Sequence, residues 1–219
     1  MAITEIKLQN FTVFEDISID FNEGVNILIG ENGTGKTQLL KIMYFFTQNL
    51  DEAFGTNKFE EIFMADSLDV IRNKNTGEAK FSCVTNGVEE RLSSYAIHVS
   101  GEVIPTFGGK VVLHKNKPNS IFIPAKEMLS HSKGFLAMNE KYKLPFDKTL
   151  IDIMINAELP ETRDEPIMSK NILGILSDII DGKVIYEKDT FYIKKKNGIK
   201  MLFSLESEGF RKIGLLWKL

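Results

Sequence analysis

Gly30-Glu31-Asn32-Gly33-Thr34-Gly35-Lys36-Thr37 is the stretch on which the reading of this chain turns. It satisfies G-x-x-x-x-G-K-[ST], a glycine-rich loop whose backbone amides cradle phosphate oxygens. At ordinary residue frequencies, a chance match in a chain of this length is on the order of one in a hundred. The flanks fit as well. Val25, Ile27, Leu28 and Ile29 read as a buried strand entering the loop. Leu39, Leu40, Met43 and Phe46 fall at helical spacing from Thr37, with no Pro or Gly before Asn49. Glycines at 30, 33 and 35 are expected to take angles closed to other residues, so that successive N–H groups point inward at an anion. The helix start adds favourable potential for negative charge. Lys36 is then expected to neutralise the β- and γ-phosphates and Thr37 to hold Mg²⁺. The residues assigned to the nucleotide are Asn32, Gly33, Thr34, Gly35, Lys36, Thr37 and Gln38. A plain strand-to-helix turn, the alternative, needs neither three glycines nor the Lys-Thr pair.

Outward from the loop, Ile3, Ile6 and Leu8, then Ile17, Ile19 and Phe21, predict two further strands, and Asn22-Glu23-Gly24 a tight turn. Between Ser67 and Pro124, Asn75-Thr76-Gly77, Asn86-Gly87 and Gly108-Gly109 separate apolar runs such as Lys80 to Val84 and Val88 to Val99. This predicts an antiparallel sheet of several strands. Ser120 to Pro124 reads as one more strand. Phe146 to Ala157 and Ile167 to Ile180 have amphipathic helical spacing, and Phe191 to Lys195 and Ile199 to Phe203 form a hairpin across Asn197-Gly198. A last helix is capped by Ser207, with Ile213, Leu216 and Trp217 spaced to face a core. No internal repeat or sustained heptad is present.

The 219 residues suit one domain, or one domain with an insertion, and carry 27 Lys+Arg against 30 Asp+Glu, a net charge of −3. That balance argues against a wholly basic nucleic-acid-binding surface. A lone Cys83 excludes a disulfide framework and a cysteine zinc site, and points to a reducing compartment, with the cytoplasm as the expectation. No run of 18 apolar residues occurs, so no membrane association is expected. His98, His114 and His131 lack metal-ligand spacing. Lys194-Lys195-Lys196 reads first as a solvated face, with DNA contact the lesser alternative.

Two stretches carry a family resemblance. Ile3-Thr4-Glu5-Ile6-Lys7-Leu8-Gln9-Asn10-Phe11, Phe14, Ile17 to Phe21 and Gly24 to Gly33 resemble the N-terminal lobe of ABC-type ATPases of the SMC, RecF and OLD kind, which include AAA-family ATPases of phage defence. Many relatives carry Arg where this chain has Thr12. Ser204-Leu205-Glu206-Ser207-Glu208-Gly209-Phe210-Arg211-Lys212 resembles their signature motif, commonly L-S-G-G-Q, with Ser207 and Gly209 matching and Glu206, Glu208 and Phe210 departing. The resemblance implies an α/β P-loop NTPase of the ABC-ATPase head type, with a mixed core sheet, an antiparallel β-subdomain and a helical lobe. An ATP-binding lobe at 1–125 would be followed by a helical lobe and signature region at 126–219. It implies ATP and Mg²⁺ as cofactors and a homodimer whose heads sandwich the nucleotides, Ser207 and Gly209 facing the partner's phosphates. Lys126 and Glu127 are candidates to sense Mg²⁺ and the γ-phosphate.

DNA repair or phage defence, with a nucleic acid or an effector nuclease as partner, follows from the same resemblance. The 177 residues from Gly30 to Ser207 leave no room for a long coiled coil. In the family an apolar strand ending in Asp-Glu, the Walker B part, follows the signature helix. It is absent from these 219 residues, so hydrolysis is expected of a complete protein, and a non-hydrolysing nucleotide-binding interaction module is the alternative. A small P-loop kinase or GTPase is a rival without an N-K-x-D guanine motif, and a transporter ATPase is a third.

Overall fold

Ile6 and Leu8, two positions apart and both facing inward, set the chain's first strand inside a sheet, with a neighbour on each side. The computed structural model describes residues 2–48, 56–65, 71–74, 77–86, 91–97, 103–105, 120–160 and 167–219. β1 (Ala2–Phe11) buries Ile6, Leu8 and Phe11 completely and pairs antiparallel on both sides, with β2 (Phe14–Asp20) and with β3 (Ala79–Asn86). β4 (Arg91–Ile97) and β5 (Val103–Pro105) extend the sheet in the order β2-β1-β3-β4-β5. The hairpin expected on either side of Asn86 is therefore present. Gly87, Asn75-Thr76, Gly108-Gly109, His98 and His114 lie outside the described residues.

α1 (Lys36–Gln48) and α2 (Thr56–Phe63) supply the rest of this core, α2 being an element the sequence reading passed over. Phe11, Phe45, Phe59 and Phe81 meet with ring centroids 5.0 to 6.2 Å apart, mostly edge to face. Each such burial contributes about 1.5–3 kcal/mol, so the high Phe content is accounted for by packing.

The third expected strand did not form. Val25–Ile29 has no regular secondary structure and belongs to no sheet among the described residues, and Val25, Ile27 and Ile29 are 89%, 77% and 92% exposed. Ser120 to Pro124 likewise joins no strand pair among the described residues, with Ile121 and Ile123 exposed. The expected mixed core sheet is thus corrected: both sheets described are purely antiparallel. The physical reason is that period-2 apolarity predicts a strand's conformation but not its partners. A parallel neighbour must be brought in from elsewhere, and none lies among the described residues.

The chain divides into two compact units, 1–122 and 123–219. The second unit has its own core. A 3₁₀ turn at Leu129–His131 precedes α3 (Phe135–Tyr142), α4 (Lys148–Glu158) and α5 (Ile167–Ile179). Asp147 caps α4 by accepting the Thr149 N–H at 2.9 Å, which places its start two residues after the expected Phe146. A three-stranded sheet follows, β6 (Gly182–Glu187), β7 (Thr190–Lys195) and β8 (Lys200–Leu202), in that order. The β7–β8 hairpin was expected; β6 and α3 were not. α6 (Glu208–Lys218) closes the described chain, burying Leu215 and Trp217, whose indole N–H donates to Ser177 Oγ at 2.7 Å. Leu216, expected to face the core, is 41% exposed, because the helix turns Gly214 and Leu215 inward, Gly214 against Phe203. None of the described helices is long and apolar enough to cross a membrane.

Candidate functional site

The loop between the exposed segment Val25–Ile29 and α1 stands open. None of the backbone N–H groups from Glu31 to Gly35 donates to a protein acceptor among the described residues. Gly33 and Gly35 take φ of +84° and +92°, angles that turn successive amides to one side and that a side chain resists. Gly30 needs no such angle, which corrects that part of the expectation; it is required by space, because a Cβ there would lie 2.9 Å from Thr34 Oγ1.

Lys36 folds back over the loop, donating to the carbonyl oxygens of Gly30 and Glu31, both at 2.7 Å. Thr34 Oγ1 donates to Glu31 O at 2.9 Å. Together these bonds tie Lys36 and Thr34 to the carbonyl side of the loop. Asn32 is exposed at the loop tip, and Thr37 is exposed in the first turn of α1. Gln38 Oε1 is buried without a partner, an acceptor whose desolvation costs about 1–3 kcal/mol while it stays unpaired. A cavity of about 810 Å³ adjoins Lys36 and Thr37, with Ile27, Leu40 and Met43 as apolar walls. All seven residues assigned to the loop are therefore brought together at one place.

The sequence reading missed what holds the loop from behind. The tight turn between β1 and β2 sets Val13 and Phe14 directly on Gly35, so that a Cβ there would meet Val13 Cγ2 and Phe14 Cζ, each at 2.5 Å. The turn is itself clamped: Asn73 Nδ2 donates to Thr12 O at 2.9 Å, and Lys74 N–H to Asn10 Oδ1 at 2.7 Å. Thr12 takes φ of +49° and its Oγ1 is buried and unpartnered. The only signal in the sequence was the two-residue gap between the apolar runs of β1 and β2.

Ser207 and Gly209 stand in the second unit. Ser207 is the N-cap of α6, its Oγ accepting the Phe210 N–H at 3.4 Å, and it remains exposed, as do Gly209 and Leu205. Of the two junction candidates, Lys126 is exposed, whereas Glu127 is buried and engaged within its own unit. Its carboxylate accepts from Ser130 N and Oγ at 3.1 and 2.5 Å and lies 3.9 Å from Arg211, an arrangement that caps the 3₁₀ turn. Lys195, central in the lysine run, has a side chain only 14% exposed: it pairs with Glu206 at 2.6 Å and sits 4.9 Å from the Phe210 ring centroid. Burial pushes the Cys83 thiol up to about 12, so the lone cysteine is a core residue.

A glycine-rich loop at a helix start, its amides free among the described residues and a lysine folded back onto it, is the arrangement of a P-loop nucleotide-binding domain. The chain belongs to the AAA ATPase domain family, whose model matches residues 1–212. Among curated proteins it is similar to the DNA replication and repair protein RecF of Exiguobacterium sp., 36% identical over 83 residues, or 36% of this chain and 22% of that protein. It is also similar to RecF of Lactococcus lactis subsp. cremoris, 24% identical over 99% of this chain and 62% of the relative. The chain thus spans under two thirds of the curated relatives it matches. Among solved structures, the recombination mediator protein RecF with ATP aligns over 82% of this chain and 45% of that one, at 18% identity and a TM-score of 0.43. An SMC ATPase, from work on ATP-driven dimerization and DNA-stimulated activation, aligns over 46% of this chain and 66% of that one, at 18% identity and a TM-score of 0.36.

Proposed function

We propose that this chain is the nucleotide-binding part of a RecF- and SMC-like ATPase head that binds Mg-ATP and uses it to join two heads. The observation that supports this most is the run of backbone N–H groups from Glu31 to Gly35 with no acceptor among the described residues, on the loop over which Lys36 folds back. Asn32, Gly33, Thr34 and Gly35 would hold phosphate oxygens by their N–H groups, and Lys36 would exchange its two carbonyl contacts for the β- and γ-phosphates. The Thr37 hydroxyl would hold Mg²⁺, and the unpaired Gln38 Oε1 is an acceptor for a donor brought in with the ligand. The bound metal supplies charge neutralisation across the phosphates. Ser207 and Gly209, exposed at the start of α6, would face the nucleotide of a second copy, so that ATP closes a homodimer.

Hydrolysis belongs in this reading to the full-length protein, and DNA repair or phage defence is the setting that the resemblance favours. Titration with a fluorescent ATP analogue in Mg²⁺ buffer tests the first step. Lys36→Ala should lower affinity about 10- to 100-fold, the value of a charged hydrogen-bonding group removed from an anion site. Unchanged affinity refutes the assignment. Light scattering with and without Mg-ATP tests the second: mass should double with nucleotide in the native chain and not in Ser207→Arg.

A further inference from the structure

The exposed face of the second unit's sheet carries a feature that no linear reading of the sequence shows. Strand alternation splits the run Lys194-Lys195-Lys196: Lys195 turns toward the core side, while Lys194 and Lys196 point out. Register then places Lys183 of β6 directly opposite Lys194 of β7, and Lys194 directly opposite Lys200 of β8. Three lysines therefore spring from one row across the sheet, at the ~4.8 Å strand spacing, with the Lys200 ammonium leaning from that row over Tyr192 toward Glu187. Like charges in direct cross-strand register repel, so the row costs stability and offers a concentrated positive potential. Val184, Phe191 and Ile193 on the opposite face are fully buried, which leaves the lysines no way to turn inward.

The next row along the same face is Ile185, Tyr192 and Leu202, and the Lys200 ammonium lies 4.1 Å from the centroid of the Tyr192 ring. Lys183 and Lys194 are exposed and form no ion pair within 4.0 Å among the described residues, although Glu187 on the same face feels the charge of Lys194 as well as that of Lys200. Lys200 pairs with Glu187, and Lys196 with Asp178 at 2.7 Å, solvent-exposed pairs that are readily exchanged.

We propose that this face, Lys183, Lys194 and Lys200 with Tyr192 beside them, binds the phosphodiester backbone of single-stranded nucleic acid. A row of cations follows successive phosphates, and a partly exposed aromatic ring next to the row offers a stacking surface for a base; that pairing fits a nucleic acid better than a lipid surface, which has no base to stack. The surface lies in the second unit and uses none of the loop residues, so it stands independently of the ATP assignment.

Fluorescence anisotropy of the full 219-residue chain with a labelled 20-nucleotide oligothymidylate, across 50 to 300 mM salt, tests this. Three phosphate contacts predict a slope of log K against log salt near −2, from about −0.7 per contact. Lys183→Gln with Lys194→Gln should reduce the slope to about −0.7 and weaken binding about 25-fold at 0.1 M salt. Tyr192→Ala should weaken binding without changing the slope. The control pair Lys80→Gln with Lys143→Gln, an equal change in net charge elsewhere, should leave the slope at its native value. Equal losses in the two double variants, no binding by the native chain, or binding to phosphatidylserine vesicles but not to the oligonucleotide would each overturn the proposal. Lys36→Ala should bind the oligonucleotide normally, which separates this surface from the ATP site.

Discussion

Gly35→Ala tests the clamp behind the loop. Two costs combine at this position. The backbone at φ of +92° is closed to an L side chain, at about 1–2 kcal/mol. The added methyl would also stand 2.5 Å from both Val13 Cγ2 and Phe14 Cζ, where carbon atoms ordinarily rest at about 3.5–4.0 Å, so the turn between β1 and β2 must lift by about 1 Å. Overpacking of this kind costs about 1–3 kcal/mol, for a total near 2–5 kcal/mol. Gly33→Ala is the matched control, with φ of +84° and no atom within 4 Å of the added Cβ, so it carries the backbone cost alone. Hydrogen exchange at the β1 and β2 amides reads the difference locally, and urea unfolding followed by far-UV circular dichroism reads it globally. Gly35→Ala should be the more damaging by about 1–3 kcal/mol, and Val13→Ala in that background should recover part of the loss, with a coupling of about 0.5–2 kcal/mol. Equal effects of the two alanines, or no recovery, would refute the idea that the turn braces the loop.

Other consequences are as direct. Cys83 should resist iodoacetamide at pH 8 in the native chain and react fully in urea. Because its folded value is raised to about 12 from 9.0, the unfolded chain releases that proton first; stability should fall by about 1.4 kcal/mol per pH unit above 9, and Cys83→Ser should flatten that slope. Ser207→Ala should lower stability by about 1 kcal/mol through its lost cap, a figure that urea titration of Trp217 fluorescence can check. Gly182→Ala should cost more than about 2 kcal/mol in the same titration, since its Cβ would meet the backbone carbonyl of Lys194, which cannot swing aside.

The loop was legible because its chemistry is written in consecutive residues: three glycines, a lysine and a threonine need no tertiary information. The same holds for the Ser207 cap and the β7–β8 hairpin, both local events. What the sequence hid was pairing across distance. Ile3 to Phe11 read as a strand, but that it takes β3 rather than the Val25 segment as its second neighbour depends on the Phe11–Phe45–Phe81 packing, assembled from three parts of the chain. Glu127 was a polar residue at a junction, and only Ser130 and Arg211, the latter 84 residues away, show its carboxylate to be a structural acceptor. Lys195 read as one of three solvated lysines until alternation placed it beside Glu206.

Val25, Ile27 and Ile29 also bear on anyone who purifies this polypeptide. Exposed branched aliphatics in a segment that joins no sheet among the described residues are a template for their own kind, and two such segments can zip together across molecules. Turbidity should therefore climb with protein concentration and with warming, and charged replacements at Ile27 should clear it without touching the glycine-rich bend that follows.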